Sequence, residues 1–133
     1  MIKGSCLCKQ YNYEVEGELF DVMHCHCSIC RKLHGSTFAT YGGVTQGKFK
    51  WLCDISSLNK YQSSADVARY FCGNCGSLLI SIDNSEPNAV YLSLGLIDSN
   101  NFIRPEYHQF VASKASWHEI KDNLPKYDDR SID

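Results

Sequence analysis

Cys25-His26-Cys27-Ser28-Ile29-Cys30 places three cysteines in a C-x-C-x-x-C run within six residues. Three thiolates make an incomplete tetrahedral metal site, and an incomplete site leaves a position for a further ligand. If residues 24–27 are extended, Cys25 and Cys27 face one side while His24 and His26 face the other, so neither neighbouring histidine is expected as the fourth ligand. His34 and His108 remain candidates from elsewhere in the chain, and either would turn the run into a second closed structural site. The open version has a defined character. Zinc with three thiolates carries one net negative charge and favours soft ligands, which points to a thiol. A fourth thiolate doubles that charge, and Arg31 and Lys32, directly after Cys30, are placed to offset it; a solvated helix face is the alternative reading of those two.

Outward from this run lie two further cysteine pairs, Cys6-Leu7-Cys8 and Cys72-Gly73-Asn74-Cys75-Gly76. Residues two apart in a strand point the same way, so both sulfurs of the first pair can reach one ion. Tetrahedral zinc needs sulfurs only about 3.8 Å apart, and the second pair meets that need once its backbone curls, since Gly73, Asn74 and Gly76 all tolerate positive φ. Gly76 would also let an amide approach a thiolate closely. Together the pairs supply a complete four-thiolate site tying the start of the chain to its middle, with metal binding and folding sharing one free energy. A redox role for Cys72 and Cys75 would want a βαβ context, which is missing. Spacing alone leaves open which cysteines share an ion. Cys53, beside Trp51 and Leu52, has no metal-like spacing and reads as a small core residue. His108 reads as a hydrogen-bonded structural histidine, and Trp117 and Tyr127 as packing residues that could instead line a pocket.

Eight cysteines could also form a disulfide framework. However, Met1-Ile2-Lys3-Gly4-Ser5 runs into Cys6 with no apolar signal segment, so a cytoplasmic location with reduced, metal-bound cysteines is expected. No apolar run approaches the roughly 18 residues of a membrane span. A net charge of -2 with no Lys/Arg block speaks against a nucleic-acid-binding zinc ribbon. The 133 residues suit a single domain spanning 1–133, whose polar final stretch, residues 125–133, reads as a surface tail.

The rest of the chain reads as short strands. Tyr11, Tyr13 and Val15 alternate with Asn12 and Glu14. Further strands are expected over residues 19–25, 37–44, 49–52, 58–61, 67–71, 77–82 and 89–94, with Gly42-Gly43 weakening or bending the end of one of them. Ser28 is the expected N-cap of a short helical turn through Leu33, and Ser116-Trp117-His118-Glu119 fits a capping box opening another. The fold class is therefore mainly β with very little helix.

With these residues in place, the sequence resembles the glutathione-dependent formaldehyde-activating enzymes, also described as the centromere-protein-V-like group. The likeness begins at Gly4-Ser5-Cys6-Leu7-Cys8, is strongest from Cys25 to Lys32 with Gly35 and Phe38, and resumes at Tyr61-Gln62-Ser63-Ser64 and Arg69-Tyr70-Phe71-Cys72-Gly73-Asn74-Cys75-Gly76. It continues through Gly95-Leu96-Ile97-Asp98, Pro105 to His108 and Ser113-Lys114-Ala115-Ser116-Trp117. The resemblance implies an Mss4-like fold of twisted antiparallel sheets with zinc-binding loops. It implies two zinc ions per chain: a structural one on Cys6, Cys8, Cys72 and Cys75, and a second, catalytic one on Cys25, Cys27 and Cys30, open to thiol. An open trithiolate site is expected to lose its metal or oxidise in some purified samples. The implied reaction is addition of glutathione to formaldehyde, giving S-hydroxymethylglutathione, a carbon–sulfur lyase activity in reverse. Arg31 and Lys32 would assist substrate binding. The expected partners are a small thiol such as glutathione and a small aldehyde, with no nucleic acid and no membrane, and a homo-oligomer is allowed. A non-catalytic zinc protein, serving as thiol carrier, sensor or protein-binding module, is the alternative. Lys9 stands where the resemblance leads one to expect glycine after C-x-C; positive φ there costs a non-glycine residue roughly 1 kcal/mol, so a different local turn is allowed.

Overall fold

Alternation in the sequence becomes ten strands in the computed structural model, which describes residues 1–130. They are β1 (Ile2–Ser5), β2 (Asn12–Val15), β3 (Phe20–Cys25), β4 (Ala39–Thr45), β5 (Phe49–Trp51), β6 (Asn59–Gln62), β7 (Val67–Phe71), β8 (Leu78–Asp83), β9 (Ala89–Ser93) and β10 (Tyr107–Gln109). One α-helix, α1 (Ser28–His34), follows β3. Among the described residues β1, β2 and β5 form a three-stranded sheet. The other seven strands form a second sheet in the order β10-β3-β4-β9-β8-β7-β6, antiparallel except where β10 runs parallel to β3. The chain is mainly β, as its patterning leads one to expect.

The two faces of the seven-stranded sheet have different fates. Ile80, Val90, Leu92 and Val44 pack with Tyr13 and Val15 of the small sheet, and with Tyr11 just before it, in the main core. Residues one step out of phase, such as Ser81, Tyr91 and Tyr41, face a cavity on the opposite side. Period-two alternation thus assigns one face to stability and the other to the site.

Four local expectations need correction. The N-cap of α1 is Cys27, not Ser28: its sulfur accepts from Cys30 N–H at 3.2 Å, leaving Ser28 as the first helical residue. Gly42 and Gly43 lie within a continuous ladder, paired with Leu92 and Tyr91, rather than at a bent strand end. They are glycines because a Cβ would come within 2.7 Å of Leu19 Cδ1 and 2.5 Å of the Phe20 ring. At Ser116-Trp117-His118-Glu119 the chain makes a single hydrogen-bonded turn, His118 N–H to Ala115 O at 3.2 Å, that does not continue into a helix; the nearby helical geometry is a 3₁₀ turn over Val111–Ser113. Trp117 is 73% exposed rather than packed in the core, and lines a shallow surface pocket with Val111, His118 and Ile120.

Lys9 does take the left-handed conformation, at φ 70°. Its amide bonds to Cys6 O at 3.0 Å, so the tight turn survives without glycine. Residues 125–130 run along the surface but are tied down. His108 N–H donates to Pro125 O at 2.9 Å, Tyr127 N–H to His108 O at 2.9 Å, and Phe110 N–H to Asp129 O at 2.8 Å. The remainder of the expected tail, residues 131–133, lies outside the described residues. No described helix is long and apolar enough to cross a membrane.

Candidate metal centres

Among the described residues two groups of side chains could hold metal ions, and all seven of their ligand atoms are cysteine sulfurs. The turn after β1 carries Cys6 and Cys8, and the turn between β7 and β8 carries Cys72 and Cys75. The four sulfurs lie within 4.8 Å of one another, with Cys6–Cys8 and Cys8–Cys72 both at 3.7 Å. That spacing fits the roughly 3.8 Å edge of a tetrahedral thiolate site. Gly76 supplies the curl at φ 82°. Its amide, however, bonds to Cys72 O at 2.8 Å rather than to sulfur. The N–H···S contacts come instead from Tyr11 to Cys6 at 3.3 Å and from Cys75 to Cys72 at 3.4 Å. Burial pushes the Cys6 thiol up to about 11, whereas the Ser77 hydroxyl, 3.3 Å from Cys75 Sγ, brings that thiol down to about 5.

Cys25, Cys27 and Cys30 form the second group, their sulfurs also within 4.8 Å of one another. The end of β3 places Cys25 between Ala39 of β4 and Gln109 of β10, and α1 then turns Cys30 back toward it. Cys25 and Cys30 are buried and Cys27 is half-buried. Hydrogen bonds from Cys25 and Cys30 hold the Cys27 thiol far below its ordinary range, and the same sharing pushes Cys25 up. No fourth histidine, cysteine or carboxylate joins this group among the described residues. His34 Nε2 lies 3.1 Å from the Tyr41 hydroxyl instead, and His108 is engaged elsewhere.

The three sulfurs sit in the wall of a cavity of about 300 Å³. Arg69 of β7 also lines it, 7% exposed, a residue that motif reasoning missed. Its Nη1 donates to the Tyr41 oxygen at 2.9 Å and its Nη2 points to Cys30 Sγ at 3.9 Å. Tyr41 in turn donates to Cys30 Sγ at 3.2 Å. Burial works against the Arg69 charge, and neighbouring Tyr41 and Cys30 more than offset it. Arg31 and Lys32 do not line the cavity. A charged residue two places after Val67 in an apolar strand was the available signal for Arg69, but nothing in the sequence said that β7 lies near β3.

His24 and His26 project to the opposite side of β3 from Cys25, where they meet Phe38 and His108. His108 is buried, with Nε2 2.9 Å from Asp122 and Nδ1 2.8 Å from His26 Nε2. Asp122 accepting from His108 Nε2–H leaves Nδ1 as acceptor for His26. The His108 hydrogen bond holds the Asp122 carboxyl below its usual range, so its contribution is present above the unfolded pKa and lost as pH falls through the folded one. Because Asp122 is 44% exposed, Asp122→Asn is expected to cost about 1 kcal/mol or less at neutral pH. That deficit should vanish on acidification below the carboxylate range, read as the difference in urea midpoint from wild type. Cys53 lies against the main core, its sulfur 3.4 Å from Asn12 N, and joins neither ligand group.

Comparison with known proteins places this arrangement. The sequence family of glutathione-dependent formaldehyde-activating enzymes matches residues 1–113, which include all seven clustered cysteines. The chain belongs to the glutathione-dependent formaldehyde-activating enzyme family. A member from Halomonas elongata, provisionally named for that activity, is 29% identical over 130 residues, covering 91% of this chain and 82% of the relative. Another from Aspergillus flavus, named in the same provisional way, is 28% identical over 113 residues, covering 81% of this chain and 59% of the relative. The chain thus spans about three-fifths of the Aspergillus protein's length. A crystal structure of a Rhodobacter sphaeroides protein shares the fold, with a TM-score of 0.63 at 24% identity over 74% of this chain and 90% of that one.

Proposed function

We propose that this family member is a zinc-dependent enzyme joining glutathione or a related thiol to a small aldehyde, and cleaving the same carbon–sulfur bond in reverse. The observation that carries the reading is the convergence of Cys25, Cys27 and Cys30 in the wall of a cavity, with no fourth protein ligand among the described residues. All-sulfur donor sets suit zinc, so Cys6, Cys8, Cys72 and Cys75 would hold a structural ion and Cys25, Cys27 and Cys30 a second. When bound at the second site, zinc supplies a position for a soft donor and lowers the pKa of a thiol placed there.

In the forward direction a carbon–sulfur bond forms, the carbonyl π bond opens, and the proton lost by sulfur ends on oxygen. The chain's own residues shape this. The cavity face of the seven-stranded sheet holds thiol and aldehyde together, converting a bimolecular encounter into a local one. Tyr41 donates to Cys30 Sγ and Arg69 Nη2 is aimed at the same sulfur, so both offset negative charge on the sulfur side of the cavity. Arg31 and Lys32, on α1 outside the cavity, would act only at longer range.

The test is metal content followed by kinetics on the purified chain. Two zinc ions per chain are expected, with formaldehyde and glutathione consumed faster than in buffer and the reverse cleavage accelerated equally. Thiol binding with no acceleration in either direction would make the protein a carrier and sink the enzymatic reading.

A further inference from the structure

We propose that Arg69 is the residue that admits an anionic sulfur to the cavity, supplying the counter-charge that a thiolate beside Cys25, Cys27 and Cys30 requires. This rests on the reading of those three cysteines as a metal centre, but not on the identity of the aldehyde.

A buried guanidinium needs an opposite charge close by. Arg69 is 7% exposed, and among the described residues no Asp or Glu forms a salt bridge with it. Its neighbours are neutral hydroxyls and one sulfur: Nε donates to Ser63 Oγ at 2.9 Å, Nη1 to Tyr41 at 2.9 Å and Ser81 Oγ at 3.2 Å, and Nη2 to Cys30 Sγ at 3.9 Å. The thiolate centre is therefore its counter-ion.

These contacts also fix its direction. Nε and both hydrogens of Nη1 are taken, so the donor capacity left over sits on Nη2, at the Cys30 end of the cavity. The guanidinium is held by three separate hydroxyls from the β6–β7 turn, β4 and β8, and it cannot swing away without breaking all of them. The cavity's other cation, Arg130, is already committed to Glu86 at 3.2 Å and Asp83 at 4.0 Å.

Charge counting then gives Arg69 a selective effect. Three thiolates and a divalent ion leave one negative charge, which Arg69 balances. A neutral ligand entering the cavity changes nothing, whereas an ionised thiol adds a second negative charge that only a fixed nearby cation makes tolerable. Arg69 thus favours thiolates and similar soft monoanions over neutral donors. One opposite charge at this range is worth about tenfold to hundredfold in preference for the charged form.

The experiment uses the full chain loaded with cobalt(II), whose absorption reports ligands at the cysteine centre, and two probes. 2-Mercaptoethanol has no carboxylate, so any effect on it comes from sulfur; imidazole is a neutral donor. Arg69→Met is expected to weaken 2-mercaptoethanol by about tenfold or more while leaving imidazole within about twofold, and Arg69→Lys to recover part of the loss. Unchanged 2-mercaptoethanol affinity, equal loss of both probes, or a wild-type site that takes imidazole and no thiol would each overturn the proposal. Should Arg69→Met fail to hold cobalt, Arg69→Gln, which keeps polar contacts without the charge, decides: thiol weakened with imidazole unchanged supports it, and thiol unchanged or both weakened together overturns it. If wild type fails to accelerate the glutathione–formaldehyde reaction but Arg69→Met still loses 2-mercaptoethanol selectively, the enzymatic reading fails and the role of Arg69 stands.

Discussion

Cys72→Ser is expected to leave little folded protein under conditions where the wild type is fully native. Cys72 is fully buried within the main core, and its sulfur lies 3.7 Å from that of Cys8, on a turn far away in the chain. A metal ion among Cys6, Cys8, Cys72 and Cys75 would fasten the small sheet to the β7–β8 turn. Structural zinc sites contribute about 10–16 kcal/mol on folding. A domain's entire stability is about 5–15 kcal/mol, so loss of the link can exceed what remains. Circular dichroism and urea unfolding of the purified variant measure this directly. Cys53→Ser is the control, at a cost of about 1 kcal/mol, because Cys53 is only half-buried and outside the ligand group. A Cys72→Ser protein that melts cooperatively near the wild-type midpoint would remove the structural assignment of this site.

Cys27→Ser is expected to behave in the opposite way, with the fold retained and thiol binding reduced at least about a hundredfold. The reason lies in what Cys27 does locally. Its sulfur caps α1 by accepting from Cys30 N–H, and serine is among the best residues for that role, so the helix keeps its start. What serine cannot supply is a soft, readily ionised donor. The half-buried position also leaves no large void when sulfur becomes oxygen. Metal analysis should show one ion lost per chain, and a thermal midpoint within a few degrees of wild type, while added glutathione produces no shift. Unfolding as severe as that of Cys72→Ser would mean that both centres are structural, and the proposed division between them would be wrong.

Much of this arrangement is written locally. Alternation in Tyr11, Tyr13 and Val15 describes β2, and all three side chains are buried. The opposed faces of His24 and Cys25 follow from the same period, and the structure puts His24 against Phe38 and Cys25 in the cavity wall. Gly42-Gly43 shows where local reading stops. A glycine pair suggests a weak strand, but the missing Cβ atoms make room for Leu19 and Phe20 from a neighbouring strand and the segment before it. The capping box at Ser116 fails for a related reason, since a capping pattern without an apolar face to bury has nothing to hold a helix against the rest of the molecule.

The cations divide in the same manner. Arg31 and Lys32 are near Cys30 in sequence, and helical geometry carries them outside the cavity. Arg69 is thirty-nine positions away from Cys30 and reaches its sulfur. Short-range rules, 2.0 residues per strand repeat and the spacing of a tetrahedral thiolate site, are set by bond geometry and can be read from the chain alone. They determined that this protein is mainly β, that its cysteines fall into clusters with metal-ligand spacing, and that the histidines flanking Cys25 face away from it. The order of strands, which places β7 and β8 across a cavity from β3, depends on long-range pairing that no local period encodes. That is why the meeting of Cys6 and Cys8 with Cys72 and Cys75, allowed by spacing and implied by resemblance, was decided only by the tertiary structure. So was the cavity that the C-x-C-x-x-C run faces, with Arg69 as its cation without a carboxylate partner among the described residues.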